Sequence, residues 1–188
     1  MKQLFLYLCI QIFILSCSGH AHDYKNYTKA LSELIQTMEI QPSDLTLLID
    51  KSDYKLTVLK DSFIIKEYPV VFGGNPTDDK LRQGDQCTPE GAFKMVSKYP
   101  HKNWSKFIWI NYPTPDSWNK HHAAKANKTI PNSSEIGGEI GIHGVPHGCD
   151  YLIDNRQNWT LGCIALKNAD IGELYPFILE TTVILIRK

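Results

Sequence analysis

Late in the chain, Cys163 follows Gly162 at the head of the apolar run Ile164-Ala165-Leu166, and the pair His143-Gly144 lies upstream. Those types and that order suit thiol-based acyl transfer. An ordinary thiol, with a pKa of ~8.5, is mostly protonated at neutral pH, so a nucleophilic cysteine needs an imidazole beside it. His143 is the candidate base. Gly162 permits a tight turn, which makes its own N–H and that of Cys163 the candidate donors to a developing oxyanion. Singly, each residue also has a plainer reading, the cysteine as a small buried hydrophobe and the histidine as a turn residue.

Metal binding is the competing chemistry. His143, His147 and Cys149 are all zinc-ligand types within one short segment. Gly144, Pro146 and Gly148 interrupt that segment, so the four-residue His spacing does not fall on a helix where both rings would converge on one ion. No metal and no cofactor is therefore expected.

The wider pattern is specific. The segment 138–177 carries the His-Gly pair followed by Thr160-Leu161-Gly162-Cys163, and upstream stand Val70-Val71-Phe72-Gly73-Gly74 and Thr88-Pro89-Glu90-Gly91-Ala92-Phe93. In these four elements and their order the chain resembles the L,D-transpeptidase catalytic domain, the YkuD-type family of cell-wall enzymes, from about residue 45 to the C-terminus. The resemblance implies a mainly β domain, a β-sandwich or barrel of mostly antiparallel strands with a few short helices. It also implies that Cys163 attacks an amide of a peptidoglycan stem peptide to form a thioester. His143 then acts as general acid and base, its ring oriented by the Gly144 carbonyl. An amine acceptor gives cross-linking and water gives trimming or release, so a hydrolytic relative stays open. Many members carry Arg two residues after the nucleophile, where this chain has Ala165; alanine cannot grip a carboxylate as a guanidinium does. A non-catalytic peptidoglycan-binding lipoprotein needs neither Cys163 nor His143. A papain-like peptidase places Cys before His, the reverse of the order here.

The N-terminus reads as an export signal. Lys2 precedes an uncharged apolar stretch over 4–15, too short to span a bilayer, and it ends at Leu15-Ser16-Cys17. The small residue before Cys17 resembles a lipoprotein signal, making Cys17 the candidate for lipidation and membrane anchoring, with plain cleavage around Ala21 as the alternative. Either way the expected location is the bacterial cell envelope. The organisation is a signal over 1–17, a linker and amphipathic helix over 18–43, and a catalytic domain over 44–188, with about 170 residues left to bury a core. Twenty basic residues balance twenty acidic ones, so no net field favours nucleic acid. Cys87, Cys149 and Cys163 remain in the domain; an odd number outside the cytosol suggests one reactive thiol, and a Cys87–Cys149 disulfide suits that reading among three choices.

The positioning elements follow from periodicity. Tyr27, Leu31, Leu34, Ile35 and Met38 recur at helical spacing. Strands are expected over 45–49, 54–59 and 63–72 as a meander, then over 91–97, 106–112, 139–143 and 181–186, with a short helix after Asn168. The stretch 99–132 reads as irregular. It is rich in aromatics, and Trp109, Tyr112 and Thr160 are the candidates for lining a substrate groove. His121-His122 reads as an exposed helical turn without chemistry.

Overall fold

The computed structural model describes residues 24–188. The leader, Cys9 and the lipidation candidate Cys17 lie outside the described residues. Alternating apolar residues begin the sheet. Leu45, Leu47 and Ile49 point one way from β1 (Leu45–Asp50) and are buried, as are Leu56 and Val58 in β2 (Lys55–Lys60). These join β3 (Phe63–Pro69) in the expected antiparallel meander. Further on come β4 (Gly91–His101), β5 (Ser105–Ile110), β6 (Gly141–Gly144), β7 (Ile164–Leu166) and β8 (Val183–Arg187).

One eight-stranded sheet results, in the order β3-β2-β1-β8-β4-β5-β6-β7. Its pairings are mostly antiparallel; β1–β8 and β6–β7 are parallel. The long β4 serves both halves, pairing with β8 through its first residues and with β5 through its last, with a register shift between Met95 and Ser97. The two edges then meet. Just beyond β3, Val71 exchanges both backbone hydrogen bonds with Ala165 of β7, at 3.0 and 2.9 Å, so the sheet curls toward a barrel. Closure leaves fewer unpaired edge groups, and it carries the chain after β3 directly under the Cys163 turn.

Among the described residues, four α-helices decorate this frame. α1 (Leu31–Thr37) buries Leu31, Leu34 and Ile35, the face its periodicity marks. It is tied to α4 (Asn168–Leu174) by the Leu31 N–H, which donates to Glu173; Lys66 and Tyr68 of β3 reach the same carboxylate, and the Tyr27 hydroxyl donates to Asp170. A single turn, α3 (Tyr151–Asp154), lies between β6 and β7. Among the described residues no helix is long and apolar enough to cross a membrane.

The stretch 99–132 is not irregular as expected. β4 and β5 extend into it, and α2 (Pro115–Ala126) occupies its centre, opened by a Thr114–Ser117 capping box with Pro115 in the first turn. His121 is correspondingly no exposed residue: it is 1% accessible, and its Nδ1 lies 2.6 Å from the Leu81 carbonyl oxygen. Tyr112 is buried too, its hydroxyl donating to the Ile136 carbonyl, and it packs in the core instead of lining a groove.

Candidate active site

The alternation that builds the core also places the chemistry. In β6 and β7, Ile142 and Ile164 are register partners and face the core. Their neighbours must face the opposite way. His143 therefore shares a face with its partner Ala165 and, one residue before β7, with Cys163. Strand spacing puts the backbones of His143 and Cys163 diagonally about 8 Å apart, a gap that an imidazole leaning along its strand spans.

His143 is 1% accessible and boxed by aromatic rings. The Trp104 indole stacks on it at 4.5 Å between centroids, Phe107 lies near-parallel at 5.7 Å, and Trp159 meets it edge-on at 5.6 Å. Its Nδ1 is 2.7 Å from the Gly144 carbonyl oxygen. A carbonyl only accepts, so Nδ1 carries the proton and the neutral ring keeps its lone pair on Nε2. Burial pushes the imidazole down to about 4, against the Gly144 bond, which favours the charged form.

Close packing explains two glycines here. A Cβ on Gly141 would stand 2.4 Å from the Phe107 ring, and one on Gly144 would stand 2.2 Å from Asn168 Oδ1 and 2.7 Å from the Trp104 carbonyl oxygen. Phe107 and Trp104 can press against His143 because those two positions have no side chain.

Cys163 is half-buried. Its Sγ lies 3.5 Å from the Glu139 carbonyl oxygen, and that carbonyl, not the His143 ring, is the thiol's hydrogen-bond partner. Glu139 sits at φ 58, a left-handed conformation that aims its carbonyl at the sulfur. Burial pushes the thiol up to about 11, with the Gly141 N–H and the Lys80 cation pulling the other way. Thiol and imidazole thus both rest neutral, which accounts for a thiol turned toward a carbonyl.

The turn leading to the sulfur is fixed from within. Gly162 has φ 138, and a Cβ there would lie 2.7 Å from the Cys87 carbonyl oxygen. Its N–H donates to Thr160 Oγ1 at 3.2 Å, and that hydroxyl donates to the Cys163 carbonyl at 2.7 Å. Two expectations change. The Gly162 N–H is already engaged, so it is not a free oxyanion donor, and Thr160 is 5% accessible and shapes the turn instead of lining a groove. Trp109 is half-buried and pairs with Gly141, on the same face as His143.

The other two cysteines among the described residues are free thiols: Cys87 is buried beneath the Gly162 turn, donating to the Asp85 carbonyl, and Cys149 lies half-buried beside the His147 carbonyl. The Cys87–Cys149 disulfide is not formed. His143, His147 and Cys149 do not converge, and among the described residues no such group could hold a metal ion. Trp104, Phe107, Trp159 and Glu139 are the site residues that the sequence reading did not single out.

The curled β sheet thus presents a half-buried cysteine and a carbonyl-oriented histidine on one face. The family model for the YkuD L,D-transpeptidase catalytic domain matches residues 44–186, and the chain belongs to that family. Among solved structures it is similar to Bd1075 from Bdellovibrio bacteriovorus, with 24% identity, a TM-score of 0.53, and 77% of this chain and 48% of that one covered. It is also similar to the helical cell shape determining protein Pgp2 from Campylobacter jejuni, with 20% identity, a TM-score of 0.58 and coverages of 84% and 55%. An L,D-transpeptidase from Mycobacterium smegmatis matches at 13% identity and a TM-score of 0.50, over 77% of this chain and 59% of that one. At these identities the likeness is one of fold, and the chain spans about half the length of those proteins. No curated protein matches the chain in sequence.

Proposed function

We propose that the chain is a cysteine-dependent acyl transferase acting on peptidoglycan stem peptides in the cell envelope. The observation that carries this is the shared face of Cys163 and His143, with His143 Nδ1 committed to the Gly144 carbonyl at 2.7 Å and Nε2 left for the thiol proton. Sγ attacks the scissile carbonyl as Nε2 takes the thiol proton. The tetrahedral oxyanion is met by the Cys163 N–H. When the C–N bond breaks, Nε2 returns the proton to the leaving amine, and a thioester remains on Sγ. An acceptor amine then displaces the thiol to give a new amide, or water displaces it to give a free carboxylate.

Trp109, across Gly141 from the sulfur, walls the approach on this reading. At position 165 the family's frequent Arg is replaced by an alanine buried against Val71, Leu152 and Ile153, which offers no cation to an acyl-donor carboxylate. The apolar leader over 4–15 and the Ser16-Cys17 junction support export, with lipidated Cys17 as the anchor.

Mass spectrometry of purified muropeptides before and after incubation with the domain tests this. Joined or trimmed products are expected from the wild type and none from folded Cys163→Ala. Because the family's thiol is acylated by carbapenems, an intact-mass adduct mapping to the Cys163 peptide is the second expected result. Turnover retained in Cys163→Ala, or an adduct on Cys87 or Cys149, refutes the assignment.

A further inference from the structure

The turn between β4 and β5, residues 101–105, lies outside every motif that marks the family, yet it makes the most intimate contacts with His143. Trp104 does so twice. Its indole stacks on the imidazole at 4.5 Å and 23° between planes, and its carbonyl accepts the Gly144 N–H at 3.0 Å. The Gly144 carbonyl is the group that holds Nδ1. Both the ring and the peptide that orients it therefore rest on one residue. The Trp104 carbonyl also stands 2.7 Å from where a Gly144 Cβ would be, so the peptide has no room to rotate away.

Trp104 is in turn held by His101. The His101 ring stacks on its other neighbour, the same indole, at 4.3 Å and 13°, and His101 Nδ1 accepts the backbone N–H groups of Asn103 and Trp104 at 3.3 and 3.2 Å. His101, Trp104 and His143 form one stacked column running from the hairpin tip to the buried ring. An exposed hairpin tip can fold in many ways, and nothing in the packing of the core requires a tryptophan there.

We infer that the β4–β5 turn belongs to the catalytic apparatus, with Trp104 as the positioning residue for His143 and His101 as the residue that locks Trp104 in place. The inference rests on the proposed role of His143 for its kinetic part only; the contacts with the ring are independent of it. Trp104 keeps the imidazole dry, fixes its plane and holds the Gly144 carbonyl on Nδ1, so that Nε2 stays directed to the thiol. The group whose charge acts on the ring is His101, one stack removed; the rings packed directly on it, Trp104, Phe107 and Trp159, are uncharged.

The test uses Trp104→Leu, which keeps an apolar side chain but removes the stack, and Trp104→Phe, which restores an aromatic plane. His101→Asn retains a turn acceptor without the ring, and His101→Phe retains a ring without the acceptor. The His143 imidazole titration is followed by NMR in each folded protein, beside kcat and KM on muropeptides. In Trp104→Leu water reaches the ring, and its titration moves up from about 4 toward the ordinary histidine range. kcat falls about 10- to 100-fold, as for a catalytic group displaced by about an ångström, while KM changes less than about twofold. Trp104→Phe recovers most of both. If Trp104→Leu does not fold, the His101 pair carries the test through kcat: a fall in both folded variants supports the column, because a shift of the His143 titration by itself also follows from removing the His101 charge. An unmoved His143 titration with unchanged kcat in the folded variants overturns the inference. A moved titration in a protein whose wild type has no turnover supports the column and refutes the proposed function instead.

Discussion

His143 and Asp170 titrate in overlapping ranges with opposite consequences for stability, and substituting either should expose the other. Burial lowers the His143 imidazole to about 4, against 6.5 for the free group. Between those values the unfolded chain binds a proton that the folded protein does not, so stability rises with pH across the window and is lost as pH falls through it. The shift corresponds to about 3 kcal/mol. Asp170 is the reverse case. Burial raises its carboxyl to about 6 from 3.8, despite the Tyr27 hydroxyl donating to it. Between 3.8 and 6 the folded protein holds the extra proton, so stability falls as pH rises, again by about 3 kcal/mol. In the wild type the two contributions nearly cancel. Urea unfolding at pH 7, 6, 5 and 4 should therefore separate three proteins. Relative to wild type, His143→Gln should become more stable by about 3 kcal/mol on going from pH 7 to pH 4, and Asp170→Asn less stable by a similar amount. Every other carboxylate is common to the three, so the differences isolate the two sites. Parallel curves for all three would refute the burial argument for both groups.

Three further outcomes follow from the site. Thr160→Val removes the hydroxyl that accepts from Gly162 and donates to the Cys163 carbonyl; it should cost about 2 kcal/mol and about 4–8 °C in melting temperature, with Thr160→Ser recovering most of it in a thermal melt. Gly141→Ala forces a methyl to 2.4 Å from the Phe107 ring; a loss of about 1–3 kcal/mol is expected, together with a drop in kcat as Phe107 is pushed onto His143, both read on one preparation. A thiol at about 11 holds roughly 300-fold less thiolate at pH 7 than an ordinary cysteine, and its greater intrinsic nucleophilicity restores about tenfold. Iodoacetamide should therefore label Cys163 about 20- to 30-fold more slowly than a free thiol, with a rate still climbing above pH 9.

Much of this site is legible in the sequence. The alternation in Ile142-His143-Gly144 and Cys163-Ile164-Ala165-Leu166 already puts His143 and Cys163 opposite the core-facing isoleucines, because period two leaves no other choice once the strands pair in register. The meander β1–β3 and α1 were legible for the same reason. Helix α2 was not, since its buried residues are Ser117, His121 and Ala124, which form no apolar stripe; its trace in sequence is the Thr114-Pro115 start. β7 spans three residues, too few for periodicity to register. The aromatic box around His143 depends on which ring meets which, a consequence of the β4–β5 turn and the long β6–β7 connection. Composition announces the rings and not their partners. In sequence a small residue beside a nucleophile suggests a free N–H donor at Gly162, and only the Thr160 rotamer reveals that the donor is taken.

The resting state constrains how the thiol can react. Moving the proton from a thiol at about 11 to an imidazole at about 4 is uphill by roughly 10 kcal/mol before the two charges attract. At contact distance that attraction recovers only about 4 kcal/mol. On the proposed mechanism a resting thiolate–imidazolium pair is therefore not expected, and proton transfer accompanies attack, when the charge passes to the carbonyl oxygen and the Cys163 N–H meets it. The thiolate ultraviolet absorbance of a Cys87→Ser, Cys149→Ser protein reports on this directly. It should stay flat from pH 5 to pH 8 and rise only above about 9, with or without His143. An absorbance step near pH 4 that vanishes in His143→Gln would mean that an ion pair exists at rest and that burial does not govern this site.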